Sequence, residues 1–384
     1  MKYNCLNNIS AIGMARMTAD YTETKDVKEA EVILVRSAKM DEIEVGENLI
    51  AVARAGAGVN NIPHAEYAKK GIVVFNTPGA NANAVKELVL AMMLMASRDL
   101  IGGAKWVREN ADDADIGKTA EKAKKAFAGT EITGKTLGVV GLGAIGRLVA
   151  NAAIGLGMKV VGYDPYLSVN AALALNPEVK VVKDIADVYA EGDFITLHLP
   201  AVPATKGMVN AAAFATMKTG AILINCARDA IVNEAELLQA LETGKLGKYV
   251  TDFATPATAK HAKCIVLPHL GASTEEAEDN CAAMAVDEIR NYAENGNIVN
   301  SVNYPAVSLG AVKAGGRIGV CHTAESGAAV QAALGAAGAK VTGVASAVRG
   351  EIGYTLMDTE GELTDAMVTA VKATAGVIRA RKVK

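Results

Sequence analysis

Short aliphatic runs alternate with stretches of helical spacing along most of the chain. Near the N-terminus, AEVILVRS, LIAVARAG and GIVVFNTPG are each a few residues long, rich in Val and Ile, and bounded by polar or turn residues. They read as strands, and they lead into an apolar helix around Val85 to Ala96. Alternation of this kind predicts parallel sheets in an α/β fold. Between Arg98 and Thr133 the chain turns polar and rich in Lys and Asp (RENADDADIGKTAEKAKKAFAG), which predicts exposed helix and a crossover between domains.

A second alternation follows. KTLGVVGLG, MKVVGYDP, VKVV, DFITLHLP, AILINCARD, KYVTDFA and CIVLPHLGAS are mostly separated by helical segments, the pattern of a doubly wound parallel sheet. After Asn303 the stretch YPAVSLGAVKAGG has the Pro, Gly and small-residue content of a linker. Beyond it, RIGVCH, GAAVQAALGAAG, KVTGVASAV, EIGYTLMD, TDAMVTAVKATAG and VIRARKV spell βαββαβ, a ferredoxin-like unit expected to form a small separate domain.

Composition narrows the function classes. Half of the 384 residues are hydrophobic (51%) and 21% are charged, so a packed core is expected and wholesale disorder is not. Aromatics make up only 4%, so that core is mainly aliphatic. A net charge of −3 gives no global field for nucleic acid or an anionic membrane, and neither is expected as a partner. The strongest apolar run, LVLAMMLMA, is too short to span a bilayer, and MKYNCLNNIS lacks the apolar core of a signal peptide. Five scattered cysteines without a C-x-x-C pair fit reduced thiols. A soluble, cytoplasmic protein without a metal site is the expectation.

The chemistry begins at GVVGLGAIGRLVA. Gly141, Gly143 and Gly146 form G-x-G-x-x-G around Ala144 and Ile145, with a strand before and a helix opening on them. The next strand ends in Asp164, 23 residues after the first glycine. In that context the motif predicts dinucleotide binding, with the pyrophosphate at the helix N-terminus and Asp164 on the ribose hydroxyls. A 2′-phosphate would meet that carboxylate, and no Lys or Arg follows until Lys180, so NAD is chosen over NADP.

Arg228 follows the strand AILINCA and precedes a helix with an Asn233…Glu236 capping box. His269 follows CIVLP and precedes a Ser273…Glu276 box. Both are expected in strand-to-helix loops on the rim that carries the glycine turn. Hydride transfer between NAD and a 2-hydroxy acid needs a cation for the carboxylate and forming carbonyl, and a group that moves the hydroxyl proton. Arg228 and His269 suit those roles. Asp252, ending KYVTDF, suits the nicotinamide carboxamide, and His198 in LHLP is placed to line the cofactor pocket.

These stretches, together with RAGAGVNNI, GIVVFNTPGAN, KELVLAMML, INCARD and PHLGAST, resemble the D-isomer-specific 2-hydroxyacid dehydrogenases over nearly the whole chain. Within the family the resemblance is strongest to members acting on 3-phosphoglycerate in serine biosynthesis. It implies a discontinuous flavodoxin-like substrate-binding domain (1–97 and 276–305), a Rossmann-like NAD domain (98–275), a linker (306–315) and a C-terminal ACT domain (316–384). The active site would lie between the first two, and homodimers or homotetramers are usual. Residue by residue, Arg228 matches the family's carboxylate-binding arginine and His269 its acid/base. Arg54, with the backbone of Gly56, matches the group holding the substrate's anionic end. Thr77, His198, Pro200, Cys226 and Ala227 match cofactor contacts. The ACT resemblance implies an amino-acid effector.

The chain departs from the family in two places. The family's histidine pairs with a glutamate about a dozen residues upstream, where this chain has Ala257 between the uncharged Thr255 and Thr258. Its loss removes the partner that fixes the tautomer and favours the protonated ring. In the ACT segment, His322 matches a serine-contacting histidine, but Ala324 and Lys340 replace polar companions. Two other readings stay open: a dehydrogenase of another D-2-hydroxy acid, and a catalytically weak NAD-binding sensor.

Overall fold

Five N-terminal strands build a parallel sheet: β1 (Lys2–Cys5), β2 (Thr22–Glu23), β3 (Val32–Val35), β4 (Ala51–Arg54) and β5 (Val73–Phe75), in the order β2-β1-β3-β4-β5. The computed structural model describes every residue except Ala314, in the expected linker, and Lys384, at the end of the expected ACT segment. Strand β3 is apolar and buried at every position, as a strand covered on both faces must be. The edge strand β2 and its neighbour β1 escaped the hydrophobic pattern because TE and KYNC are short and largely polar.

The second sheet contains β6 (Thr136–Val140), β7 (Lys159–Tyr163), β8 (Lys180–Val181), β9 (Phe194–Leu197), β10 (Ala221–Asn225), β11 (Leu246–Thr251) and β12 (Cys264–Val266). Its order is β12-β11-β10-β9-β6-β7-β8 with all neighbours parallel. The order reverses between β6 and β9, which opens a crevice at their carboxyl ends.

The chain divides into two compact units, Met1–Asn81 with Glu275–Lys384, and Ala82–Thr274. The division comes before the polar stretch that composition marks as the crossover. The reason is the helix Ala82–Ser97, whose Val85, Val89, Met92, Met93 and Ala96 join one core with Val149, Ala150, Ala153, Ile224 and Val250. Its apolar face belongs to the second sheet, and the polar helices Leu100–Glu109 and Ile116–Ala123 follow it within the same unit.

The C-terminal segment has the expected βαββαβ order. Strands β13 (Gly316–Thr323), β14 (Val341–Arg349), β15 (Ile352–Thr359) and β16 (Val377–Lys382) form an antiparallel sheet ordered β14-β15-β13-β16. Helices Gly327–Ala336 and Asp365–Lys372 cover one face through Ile318, Val320, Met357, Val330, Leu334 and Val371. It does not stand apart as a separate domain. Its other face, carrying Cys321, Tyr354 and Leu356, shares a core with Phe75, Tyr292, Ala293 and Tyr304.

Polar groups on that face also reach backbone carbonyls in the rest of the unit. Arg381 donates to Tyr292 O (2.5 Å) and Ala293 O (2.8 Å), Arg379 to Leu49 O (2.5 Å) and Glu47 O (2.9 Å), and Tyr354 to Gly296 O (2.7 Å). The Arg381 guanidinium lies 4.8 Å from the centre of the Tyr292 ring, within cation–π range.

Among the described residues no helix is long and apolar enough to cross a membrane, and no group of side chains is arranged to hold a metal ion. The cysteines are free thiols.

Candidate active site

The glycine turn lies at the switch point of the second sheet. Gly141 follows β6 with φ +93°, and a Cβ there would sit 2.4 Å from His198 O, the first residue after β9. At Gly146 a Cβ would come within 1.9 Å of Gly141 O, so only glycine lets helix and turn pack this closely. Gly143 differs, because a Cβ there would meet nothing within 4 Å. Its missing side chain leaves open space rather than relieving a clash.

Gly143 caps the helix Ala144–Gly155 without a side-chain hydrogen bond, so the opening amides at Ala144 and Ile145 remain available to an anion. The contrast yields a test. Gly143→Ala should fold with an unchanged melting temperature yet bind NADH at least about tenfold more weakly, because its methyl fills the pyrophosphate approach. Gly146→Ala should lose both stability and binding. Fluorescence titration beside a thermal melt separates the two.

Asp164 follows the neighbouring strand β7. Its carboxylate accepts from Leu142 N (2.9 Å) and Tyr166 N (2.8 Å), which fix it beside the turn with lone pairs left for ribose hydroxyls. His198 Nε2 lies 3.0 Å from Thr196 Oγ1, and Nδ1 is buried without a partner among the described residues. Although the residue keeps some surface, burial of its ring pulls the pKa down to about 3. It therefore stays neutral near pH 7. Pro200 is exposed two positions on, its carbonyl held by Thr205 Oγ1 (2.6 Å).

The turn after β10 is shaped by a residue that the motif reading passed over. Asn225 Oδ1 accepts from Ala227 N (3.0 Å), and its Nδ2 donates to Arg228 O (2.9 Å), folding Cys226–Ala227–Arg228 around one side chain. An Asn closing a strand ahead of a turn is the signal that could have found it. Cys226 and Ala227 are buried, and burial raises the Cys226 thiol far above neutral pH. Arg228 Nη1 donates to Ala227 O (2.6 Å). Asn233 does cap the next helix, accepting from Glu236 N (3.3 Å). The reciprocal half of that box is replaced, because Glu236 reaches Ala211 N (2.5 Å) instead. The helix after His269 begins at Glu275.

Asp252 follows β11 and is 1% exposed. Its Oδ2 accepts from Gly271 N (2.9 Å), while Oδ1 is buried with no partner among the described residues. His269, after β12, is exposed, and its amide donates to Asp252 O (2.8 Å). Arg228, Asp252 and His269 thus follow three adjacent strands at their carboxyl ends. Ala257 lies in the short helix Pro256–Lys260, which opens on a Thr255–Thr258 capping box and carries no carboxylate. The Thr255 hydroxyl donates to Glu234 Oε2 (2.5 Å).

Within the other unit, Arg54 ends β4 and its Nε donates to Arg36 O (3.0 Å). The missing side chain of Gly56 makes room for the Arg54 guanidinium, since a Cβ would sit 2.4 Å from Nη1. Thr77 follows β5, fully buried, with its amide on Gly56 O (3.1 Å).

An open glycine cradle, an uncapped helix start, a fixed strand-end carboxylate and the unpartnered Asp252 Oδ1 together fit NAD. Sequence comparison agrees. Residues 90–271 match the family described as "D-isomer specific 2-hydroxyacid dehydrogenase, NAD binding domain". The D-3-phosphoglycerate dehydrogenase of Methanocaldococcus jannaschii is 36% identical over 299 residues, covering 75% of this chain and 55% of that protein. Its counterpart from Synechocystis is 38% identical, with 73% and 50% covered. The chain therefore spans about half the length of the curated relatives it matches.

Among solved structures, the NAD+-bound 3-phosphoglycerate dehydrogenase of Entamoeba histolytica aligns with a TM-score of 0.61 at 28% identity, covering 79% of this chain and 98% of that one. A glyoxylate reductase from Paecilomyes thermophila aligns at 0.64 with 22% identity, covering 78% and 98%, and shares the fold. Fold, glycine turn and sequence agree: residues 90–271 are the NAD-binding domain of the D-isomer specific 2-hydroxyacid dehydrogenases.

Proposed function

We propose that the protein is an NAD-dependent dehydrogenase that interconverts 3-phosphoglycerate and 3-phosphohydroxypyruvate, the entry into phosphorylated serine biosynthesis. The observation that carries this reading is the row Arg228, Asp252 and His269 on adjacent strand ends of the sheet that holds the glycine turn. The names of the matched relatives support the choice of substrate.

In the oxidative direction NAD, when bound, supplies the hydride acceptor. His269 takes the proton of the 2-hydroxyl as the C–H bond breaks and the carbonyl forms. The Arg228 guanidinium holds the carboxylate and draws electron density toward the developing carbonyl oxygen in the reverse direction. Asp252 Oδ1 accepts from the nicotinamide carboxamide and so sets which ring face is offered. Arg54 and the Gly56 backbone are assigned to the anionic end of the substrate, and Thr77, His198, Pro200, Cys226 and Ala227 to cofactor contacts.

Residues 316–384 are assigned to regulation by an amino acid, in a cytoplasmic homodimer or homotetramer. Serine at His322 is not the favoured arrangement. That ring is fully buried, with Nδ1 at 2.7 Å from Thr323 O and Nε2 at 2.8 Å from Thr355 Oγ1.

The test is NADH oxidation with 3-phosphohydroxypyruvate, glyoxylate and 2-ketoglutarate, each with and without serine. The proposal expects the phosphorylated acid to be preferred, and His269→Ala to lower kcat/KM by about a hundredfold or more. Preference for another keto acid would move the substrate within the family. Normal NADH binding with no turnover on any of them would favour the NAD-sensor reading that Ala257 raises.

A further inference from the structure

His269 is the one described residue other than glycine with a left-handed backbone, φ 35°. That conformation is disfavoured for a side chain with a Cβ and persists only when its surroundings impose it. Here the neighbouring strand end imposes it. The His269 amide donates to Asp252 O (2.8 Å) and Leu267 O (3.2 Å), and two residues on Gly271 N donates to Asp252 Oδ2 (2.9 Å). Asp252 thus ties the chain on both sides of the histidine.

The residue after Asp252 meets the imidazole itself. The rings of Phe253 and His269 lie 4.8 Å apart, tilted by 45°. Phe253 is anchored in turn, because its amide donates to Thr251 Oγ1 (3.1 Å), and that buried hydroxyl donates to Asn225 O (2.8 Å). A chain of contacts therefore runs from the Arg228 turn through Thr251 and Phe253 to the face of His269. No carboxylate enters it, since Ala257 has none and Glu234 accepts from the Thr255 hydroxyl.

We propose that Phe253 is the positioning residue for His269, its ring and the left-handed backbone together setting the orientation that a carboxylate partner would otherwise help to fix. A packed aromatic ring limits the imidazole to a narrow range of χ angles, and that restriction preserves rate where proton transfer needs alignment. Unlike a carboxylate, it neither selects a tautomer by hydrogen bonding nor adds a negative charge. The role concerns geometry, and it rests on the dehydrogenase reading above.

The experiment compares wild type, Phe253→Leu, Phe253→Tyr, Ala257→Glu and the double variant Phe253→Leu/Ala257→Glu. Phe253→Leu should lower kcat roughly tenfold, with KM and NADH affinity within about twofold. Phe253→Tyr should keep the rate. Ala257→Glu should do little alone yet recover most of the loss in the Phe253→Leu background. Independently of turnover, NMR of histidine-labelled protein, assigned through His269→Asn, should show a ring-current displacement of His269 that Leu removes and Tyr retains. Full activity and an unmoved resonance in Phe253→Leu would overturn the inference. Absence of turnover in the wild type would instead count against the dehydrogenase reading, while the resonance would still report whether Phe253 holds the ring.

Discussion

Arg317→Leu should destabilise the protein by about 3 kcal/mol, at the low end of the cost of breaking a buried ion pair. Arg317 is 0% exposed. Its guanidinium forms a two-pronged pair with Asp358 (2.5 and 2.8 Å) and donates from Nη1 to Asn295 O (3.0 Å) and Gly310 O (2.7 Å). Asn295 ends the helix Glu275–Asn295, where orphan carbonyls and the negative end of the dipole favour a cation. One side chain thus joins β13, β15, a helix end and the connection between them. The low end of the range applies because the Asp358 side chain keeps 23% exposure and regains some hydration.

Arg317→Lys should rescue little, because an ammonium cannot reproduce the fork. Arg317→Leu/Asp358→Leu should recover most of the loss, since no unpaired charge remains. Denaturant melts of wild type, Arg317→Leu, Asp358→Leu and the double variant form a double-mutant cycle. A single variant as stable as wild type would show that the pair does not fasten the C-terminal segment.

How much of this was legible in the chain differs between its parts. The second sheet was written plainly, because most of its strands are short aliphatic runs followed by a residue with evident chemistry. Gly141, Asp164, His198, Arg228, Asp252 and His269 all lie at carboxyl ends, where the alternation placed them. Boundaries were harder. The helix Ala82–Ser97 has apolar residues over much of its circumference, and nothing in its pattern says which sheet it covers. The docking of the last module was invisible for a different reason. In VIRARKV, read only as the last strand, Arg379 and Arg381 donate to backbone carbonyls, which carry no signature in the sequence. The gap at Ala257 was legible, but its compensation was not. A left-handed histidine and the ring contact of Phe253 arise from two loops meeting, and neither loop reports the other.

The same limit applies to Glu288, which reads as one more polar residue on a helix and carries a large pH effect on stability. It is 7% exposed. Oε1 accepts from Asn300 Nδ2 (2.6 Å), and Oε2 is buried with no partner among the described residues. Burial pushes its pKa up to about 8, with the Asn300 hydrogen bond opposing the rise and Asp287 adding to it.

The sign follows from the proton count. Below the ordinary value of 4.5 both folded and unfolded chains hold the proton, and the residue costs nothing. As pH rises from there, the unfolded chain releases its proton while the folded one keeps it, so stability falls by about 1.4 kcal/mol per unit. The fall levels off above about 8, where the folded state ionises as well. Glu288→Gln keeps an oxygen for Asn300 and removes the titration, so it should stabilise by about 2–4 kcal/mol at pH 8.5. At pH 5 the gain should nearly vanish. Melts of both proteins at the two pH values decide the matter. A displacement of the same size at both would mean that Glu288 acts through packing alone.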